Sequence, residues 1–199
     1  CPSDSIVTIQ LKWGKLHQKI NTSLLTPSIK DLSKEILRRR PIVNKVRKHV
    51  LNLGLVPNVH RKEIYRILLK VQKQTQKLPL EVNSKVLDKE LKNQRVIRAD
   101  VLRTRTQDKI FQQDQPRHEL EILLTYFCKR KGCNYRQGLN EVLAPFLWIV
   151  PTSAELSLRF EIFYAFVDRF LSNIFLQDEF TALQCSHVLF KTLLRHHDI

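Results

Sequence analysis

The sequence predicts an all-α fold, and three observations support that prediction. Glycine is scarce, with only 4 in 199 residues, so the chain lacks material for a turn-dense all-β fold or a glycine-rich phosphate loop. Hydrophobic residues make up 43% of the chain, which is ordinary for a globular protein and does not indicate disorder. Apolar residues recur at helical spacing in several segments, and no segment shows a convincing strand pattern.

The first predicted helix is short and basic. Leu32, Ile36 and Leu37 lie on its expected apolar face, and either Ser28 or Asp31 is expected to cap its start.

A turn and a second helix follow. Gly54 and Pro57 mark the turn. The helix after it has apolar positions at i, i+3, i+4 and i+7, which are Ile64, Ile67, Leu68 and Val71. The polar residues 72–85 are expected to form a loop, which leads into a charged segment over residues 86–95.

The second half of the chain predicts four further helices. One begins at Pro116, which suits a first turn, and ends before Gly132 after three cations. The next helix follows the polar stretch before Leu139. One of its sides is apolar and is formed by Leu139, Val142, Leu143 and Phe146. A last pair is expected over residues 154–172 and 180–196.

The net charge is +15 and it is unevenly distributed. Residues 1–80 hold 17 Lys and Arg against 4 Asp and Glu. Such a patch suits anionic lipid, an acidic protein or nucleic acid. Nucleic acid is not favoured, because zinc-finger spacing and RNA-binding aromatic motifs are missing. We divide the chain into a basic N-terminal extension with the first helices, residues 1–45, and a helical domain, residues 46–199.

The four cysteines predict free thiols in a reducing compartment. A zinc site built from Cys128, Cys133, Cys185 and His187 is an alternative, but the paired spacing of structural zinc ligands is missing. We therefore predict no metal. No run approaches the roughly 18 apolar residues of a membrane span. The start of the chain shows no signal pattern, and we interpret it as a fragment of a longer soluble protein.

One candidate site lies in the stretch RVIRADVLRT. On a helix Asp100 and Arg103 are i, i+3 neighbours, so the carboxylate can hold the guanidinium in one pose. The alternative is an ordinary surface ion pair, worth about 0–1 kcal/mol.

A second candidate lies in the stretch NYRQGLNEV. Gln137 precedes Gly138, which permits a sharp turn that pushes the amide outward. An amide carries both a donor and an acceptor, as the positioning of a water molecule requires. The alternative is a polar helix entrance with Asn134 or Asn140 as its cap.

Together with the glycine-proline turn, these stretches resemble, in order, the TBC domain of Rab GTPase-activating proteins. That family carries a glycine-proline turn with a downstream arginine and aromatic, then I-x-x-D-x-x-R-T, then Y-x-Q-G-M-N. The matching positions are Gly54, Pro57, Arg61 and Tyr65; Ile97, Asp100, Arg103 and Thr104; and Tyr135, Gln137, Gly138, Leu139 and Asn140. The departures are a tyrosine for the usual tryptophan, a leucine for methionine, and one extra residue in the turn.

The resemblance implies a GTPase activator rather than an enzyme with its own bound substrate. Its arginine finger falls on Arg103 and its glutamine finger on Gln137. GTP and Mg²⁺ are carried by the partner, a Rab-type GTPase in its GTP form, so no cofactor of the domain's own is expected. The supporting residues are expected to be Asp100, Arg61, Thr104, Tyr135, Gly138 and Asn140.

The resemblance also implies a place and an extent. The expected location is cytoplasmic and peripheral at endomembranes, in vesicle trafficking and intracellular protein transport, with the basic region facing anionic lipid. The family continues through further helices beyond the last residues here. We therefore expect the catalytic N-terminal subdomain and only the first helices of the C-terminal one. The alternative function is a TBC-like adaptor that binds GTPases or trafficking factors without catalysis.

Overall fold

The described part of the protein is entirely helical. The computed structural model describes residues 25–72, 90–150, 156–175 and 181–196, and these ranges contain helices and turns but no strand. The all-α prediction is confirmed for them. Contacts divide the chain into two compact units, residues 1–70 and 71–199.

Three helices lie in the described part of the first unit, residues 25–70. They are α1 Leu25–Ile36, α2 Val43–Leu53 and α3 Arg61–Leu68, with a 3-10 turn at Asn58–His60 before α3. All three helices contact one another. Their buried apolar side chains form one core, made of Leu32, Ile36, Val46, Leu53, Ile64 and Ile67.

Two predictions about α1 are wrong. Ser28 and Asp31 lie inside the helix, so neither of them caps its start, and Asp31 pairs instead with Lys34 at 3.7 Å. Leu37 is 82% exposed. It lies one residue beyond the last helical residue, so its side chain does not follow the apolar face of α1.

The predicted turn between α2 and α3 is present. Gly54 ends α2 with a left-handed φ of 66°, and its N–H donates to the carbonyls of the last turn. Helix α3 is shorter than predicted, because the chain leaves it after Leu68 and Lys70 has a φ of 58°. Val71 therefore lies outside the helix. Of the predicted loop 72–85, only the first residue is among the described ranges.

The second unit is organised around the longest of its described helices, α5 Asp114–Lys131. The elements in its described ranges are α4 Gln94–Arg103, a 3-10 turn Lys109–Gln112, α5 Asp114–Lys131, α6 Leu139–Ile149, α7 Leu156–Phe166, a π-helical turn Val167–Leu171, α8 Ser172–Phe175 and α9 Thr181–His196. Helix α5 packs against α4, α6 and α7. The fully buried side chains of this core include Ile97, Phe111, Leu120, Leu123, Leu124, Phe127, Leu143, Phe160 and Phe163.

The C-terminal end of α5 follows the prediction, and its start lies two residues before the predicted Pro116. The helix begins at Asp114, so Pro116 lies in its first turn, and it ends at Lys131 before a left-handed Gly132. The N–H of Gly132 donates to the Lys129 carbonyl at 3.3 Å, and the N–H of Cys133 donates to the Cys128 carbonyl at 3.1 Å. These two bonds are the Schellman pattern that ends many helices.

A buried arginine joins α7 to α5. Arg159 is 1% exposed. Its guanidinium pairs with the carboxylate of Glu119, and its Nε donates to the Val150 carbonyl at 2.9 Å. Both partners satisfy a charge that is costly to bury alone.

Helix α9 differs from the others because none of its residues is buried. Its exposed large apolar side chains are Val188, Leu189, Phe190 and Leu193. Among the described helices, none has the length and apolar character needed to cross a membrane.

Candidate functional site

Asp100 is the buried centre of a polar network. It lies in the last turn of α4 and is fully buried. The hydroxyl of Tyr135 donates to Asp100 Oδ2 at 2.8 Å, and Arg103 Nη2 forms an ion pair with Oδ1. That ion pair does not have the geometry of a hydrogen bond, so Oδ1 has no hydrogen-bond donor within the described ranges.

Arg103 connects this buried carboxylate to the surface. It is the last residue of α4, and its side chain is 57% exposed while that of Asp100 is only 1% exposed. An ordinary surface pair would expose both partners. The alternative interpretation of this motif is therefore wrong, because one end of the pair is anchored in the core and the other faces outward.

Thr104 and Asn140 tie the end of α4 to the start of α6. The Thr104 hydroxyl donates to the Asp100 carbonyl at 2.7 Å. Asn140 Nδ2 donates to Thr104 Oγ1 at 2.8 Å. Asn140 Oδ1 accepts the Gly138 N–H at 3.1 Å and lies 3.2 Å from the Tyr135 hydroxyl. The network thus links the segment that carries Arg103 to the turn that follows Gln137.

The environment of Tyr135 keeps its hydroxyl protonated. Burial raises the pKa of Tyr135, and its hydrogen bond to the Asp100 carboxylate raises that pKa further. A raised pKa favours the neutral phenol, so the hydroxyl serves as a hydrogen-bond donor at neutral pH. Tyr135 is therefore a positioning group in this network and not an acid or base.

Gly138 shapes the entrance to α6. It is the N-cap residue, with φ 97° and ψ −19°, and no side chain caps the helix. An added Cβ would meet only the Phe175 ring, at 3.9 Å, so glycine is required by the left-handed backbone and not by lack of space. Neither Asn134 nor Asn140 is the cap. Asn140 lies within the first turn and receives the Gly138 N–H from there.

Gln137 is exposed immediately before this turn. Its side chain has no hydrogen bond to any described residue. The amide thus faces solvent at the edge of the network. Gln137 directly precedes Gly138, whose N–H donates to Asn140.

Arg61 lies in the other unit. It begins α3 and is exposed, and its Nη2 is 3.5 Å from the Val56 carbonyl. Its expected role as a supporting residue stays a prediction.

Two polar residues that motif spacing did not single out connect the start of α4 to other segments of the unit. Asn93 Nδ2 donates to the Tyr135 carbonyl at 2.9 Å. Gln94 is buried, and its Nε2 donates to Glu121 at 2.9 Å and to Thr125 at 3.0 Å. In the sequence a polar pair before a helix looks like an ordinary helix start, and only the tertiary structure shows that both residues bridge elements.

The described side chains include no group of three His, Cys, Asp or Glu that is arranged to hold a metal ion. Cys128, Cys133 and Cys185 are free thiols, and Cys185 is exposed on α9. The alternative of a zinc site thus gains no support from the described ranges.

Comparison with known families gives one match. The family model of the Rab-GTPase-TBC domain matches residues 58–199, more than two thirds of the chain. The match includes the whole polar network around Asp100 and both exposed side chains, Arg103 and Gln137. Comparisons with curated proteins and with solved structures return no match.

Proposed function

Because the chain belongs to the Rab-GTPase-TBC domain family, we propose that it accelerates GTP hydrolysis by a Rab-type small GTPase in its GTP form. Arg103 and Gln137 are the two catalytic groups. The observation that carries this proposal is the anchoring of Arg103. Its exposed guanidinium is paired with the buried Asp100, whose network also holds the turn after Gln137.

Arg103 suits the electrostatic part of the reaction. Hydrolysis of GTP builds negative charge on the γ-phosphoryl group and the bridging oxygen, and the protein has little covalent work to do. A guanidinium is always charged and carries five donors in a fixed fork. Asp100 engages one of its nitrogens, which leaves other donors for phosphate oxygens. An arginine supplied by a partner is worth about 10³–10⁵ in rate, or roughly 4–7 kcal/mol.

Gln137 suits the positioning of the attacking water. Its amide oxygen can accept a hydrogen bond from the water while its NH₂ group donates to a phosphate oxygen. Pre-organisation decides how much such a group contributes. Here Gly138 provides the turn, Asn140 accepts the Gly138 N–H, and the buried Leu139 and Leu143 follow in α6. In this role Gln137 replaces the glutamine of the GTPase itself.

The partner carries the nucleotide and Mg²⁺, so the proposal needs no cofactor held by this chain. The same proposal places the protein in the cytoplasm, peripheral at endomembranes, in vesicle trafficking. Arg38, Arg39 and Arg40 are exposed at the end of α1, and we assign them to contact with anionic lipid.

Single-turnover GTP hydrolysis by a panel of Rab GTPases tests the proposal. We expect acceleration by the wild type and a loss of about 10³-fold or more for Arg103→Ala. For Gln137→Ala we expect a loss of about 10²-fold, typical for removal of one positioned donor. Matched controls are Arg95→Ala, exposed on the same helix, and Gln107→Ala, exposed after it. Both controls should keep the wild-type rate.

Two outcomes contradict the proposal. Equal rates in the wild type and both finger variants would refute the assignment of the catalytic residues. Tight binding of a GTPase without acceleration, in a protein that includes the further C-terminal helices of the family, would support the adaptor function instead.

A further inference from the structure

The turn that ends α5 brings two cysteines together. The N–H of Cys133 donates to the carbonyl of Cys128 at 3.1 Å across the left-handed Gly132. In a Schellman motif the side chains at the two ends of this turn lie against each other, usually as an apolar contact. Here both are thiols, and each thiol is the largest influence on the pKa of the other.

The two thiols differ in environment. Cys128 is 1% exposed, in the last turn of α5, whereas Cys133 is only partly buried. The neighbouring Cys128 thiol lowers the pKa of Cys133 to about 7, and the positive charges of Lys131 and Arg136 act in the same direction. The thiolate is the reactive form of cysteine. The accessible member of the pair is therefore the nucleophile, and the buried member lies beside it.

We propose that Cys128 and Cys133 form a dithiol site that peroxides oxidise to a disulfide. The Cys133 thiolate attacks one oxygen of hydrogen peroxide, which breaks the O–O bond and gives a sulfenic acid and hydroxide. The Cys128 sulfur then attacks the Cys133 sulfur, forms the S–S bond and expels the sulfenic hydroxyl, which leaves as water with the Cys128 proton. The two thiols lose two electrons in total, and the peroxide is reduced to two waters.

The dithiol site lies next to the segment that carries Gln137, residues 133–137, which we call the glutamine segment. Two residues after Cys133, Tyr135 donates through its hydroxyl to Asp100, and its carbonyl accepts from Asn93. A disulfide brings the Cys133 sulfur to bonding distance of the buried Cys128 sulfur. We expect this movement of Cys133 to displace the backbone of the glutamine segment and with it Gln137. This second step rests on the proposed function, and we expect the disulfide to lower the stimulated GTPase rate at least threefold.

Peptide mapping of the folded wild-type protein tests the site without any GTPase. After treatment with hydrogen peroxide and alkylation of the remaining thiols, we expect one linked peptide pair joining Cys128 to Cys133, which dithiothreitol reverses. Cys133→Ser should lose the link, and Cys185→Ser, which removes an exposed cysteine on α9, should keep it. Full alkylation of both cysteines after peroxide treatment would overturn the proposal.

A second arm measures the consequence. The peroxide-treated and the dithiothreitol-rescued protein are compared in GTP hydrolysis, with Cys133→Ser as the variant that should not respond to peroxide. If the disulfide forms but the stimulated GTPase rate does not change, the proposed effect of the disulfide on the glutamine segment is wrong. If the reduced protein stimulates no GTPase, the proposed function fails, while the mapping result for the dithiol site stands independently.

Discussion

At the scale of single residues, the polar network of the candidate site depends most on Asp100. Its carboxylate is buried, and its best hydrogen bond comes from the Tyr135 hydroxyl at 2.8 Å. Burial of a charge without donors is costly. The tyrosine therefore has a measurable structural role, separate from any contact with a GTPase.

We expect Tyr135→Phe to lower the free energy of unfolding by about 1–3 kcal/mol, because it leaves a buried carboxylate oxygen without its donor. Urea denaturation measures the change. Tyr126→Phe is the matched control, since its ring packs edge-on against Phe160 and its hydroxyl has no hydrogen bond to the described residues. If Tyr135→Phe is as stable as the control, the hydrogen bond to Asp100 does not stabilise the fold.

Some of these side-chain contacts can be predicted from the sequence, and others cannot. The Asp100–Arg103 pair follows from helix geometry, because i, i+3 side chains are neighbours. The bond from Asn140 to Thr104 spans 36 residues, and no local spacing predicts it. The sequence also does not predict that Asp100 is buried while Arg103 is exposed, because burial depends on how α5 and α6 pack around α4.

At the scale of elements, the start of α6 is held in a conformation that most residues avoid. The φ of Gly138 is 97°, where a side chain is strained whatever space surrounds it. Because Gln137 directly precedes this turn, backbone strain there displaces the glutamine as well as weakening the helix start.

We expect Gly138→Ala to cost about 1–2 kcal/mol of stability and also to lower the stimulated GTPase rate. Gly54→Ala is the control, since Gly54 is also left-handed, with a φ of 66°, but ends α2 in the other unit. The control should lose comparable stability and keep its rate. Loss of rate in both variants to the same degree would indicate general destabilisation rather than displacement of Gln137.

The junction of α5 and α7 depends on a buried ion pair. We expect Arg159→Ala to destabilise the protein by about 3–5 kcal/mol, because Glu119 is left buried without its partner. Arg105→Ala breaks an exposed pair with Glu141 and should cost about 0–1 kcal/mol. Thermal and urea unfolding of both variants give the comparison. A similar small loss in each would show that the buried pair does not hold the junction.

Helix α5 was predicted together with its C-terminal end, whereas helix α2, Val43–Leu53, was not predicted. Long apolar periodicity and the three cations before Gly132 were sufficient to predict α5. The same periodicity wrongly extended α1 to Leu37 and α3 to Val71. In both places the chain leaves the helix while apolar residues continue, and the positive φ of Lys70 is not a conformation that its residue type favours.

At the scale of the whole molecule, the charge is concentrated in the first 80 residues. Each Lys or Arg near an anionic membrane contributes about 1 kcal/mol. We expect replacement of Arg38, Arg39 and Arg40 by serine to weaken binding to phosphatidylserine-containing vesicles by about 100-fold at moderate salt. A matched triple replacement of exposed cations in the other unit, Lys92, Arg95 and Lys109, should change binding far less. Equal loss in both would show that only net charge matters.

The most direct test of the two-finger account uses a GTPase that lacks its own catalytic glutamine. If Gln137 orients the attacking water, a Rab GTPase with that glutamine replaced by leucine should still be stimulated by the wild-type protein. The stimulation should then disappear with Gln137→Ala and persist with Gln107→Ala. Failure of the wild-type protein to stimulate the leucine variant, while it stimulates the unmodified GTPase, would contradict the role of Gln137.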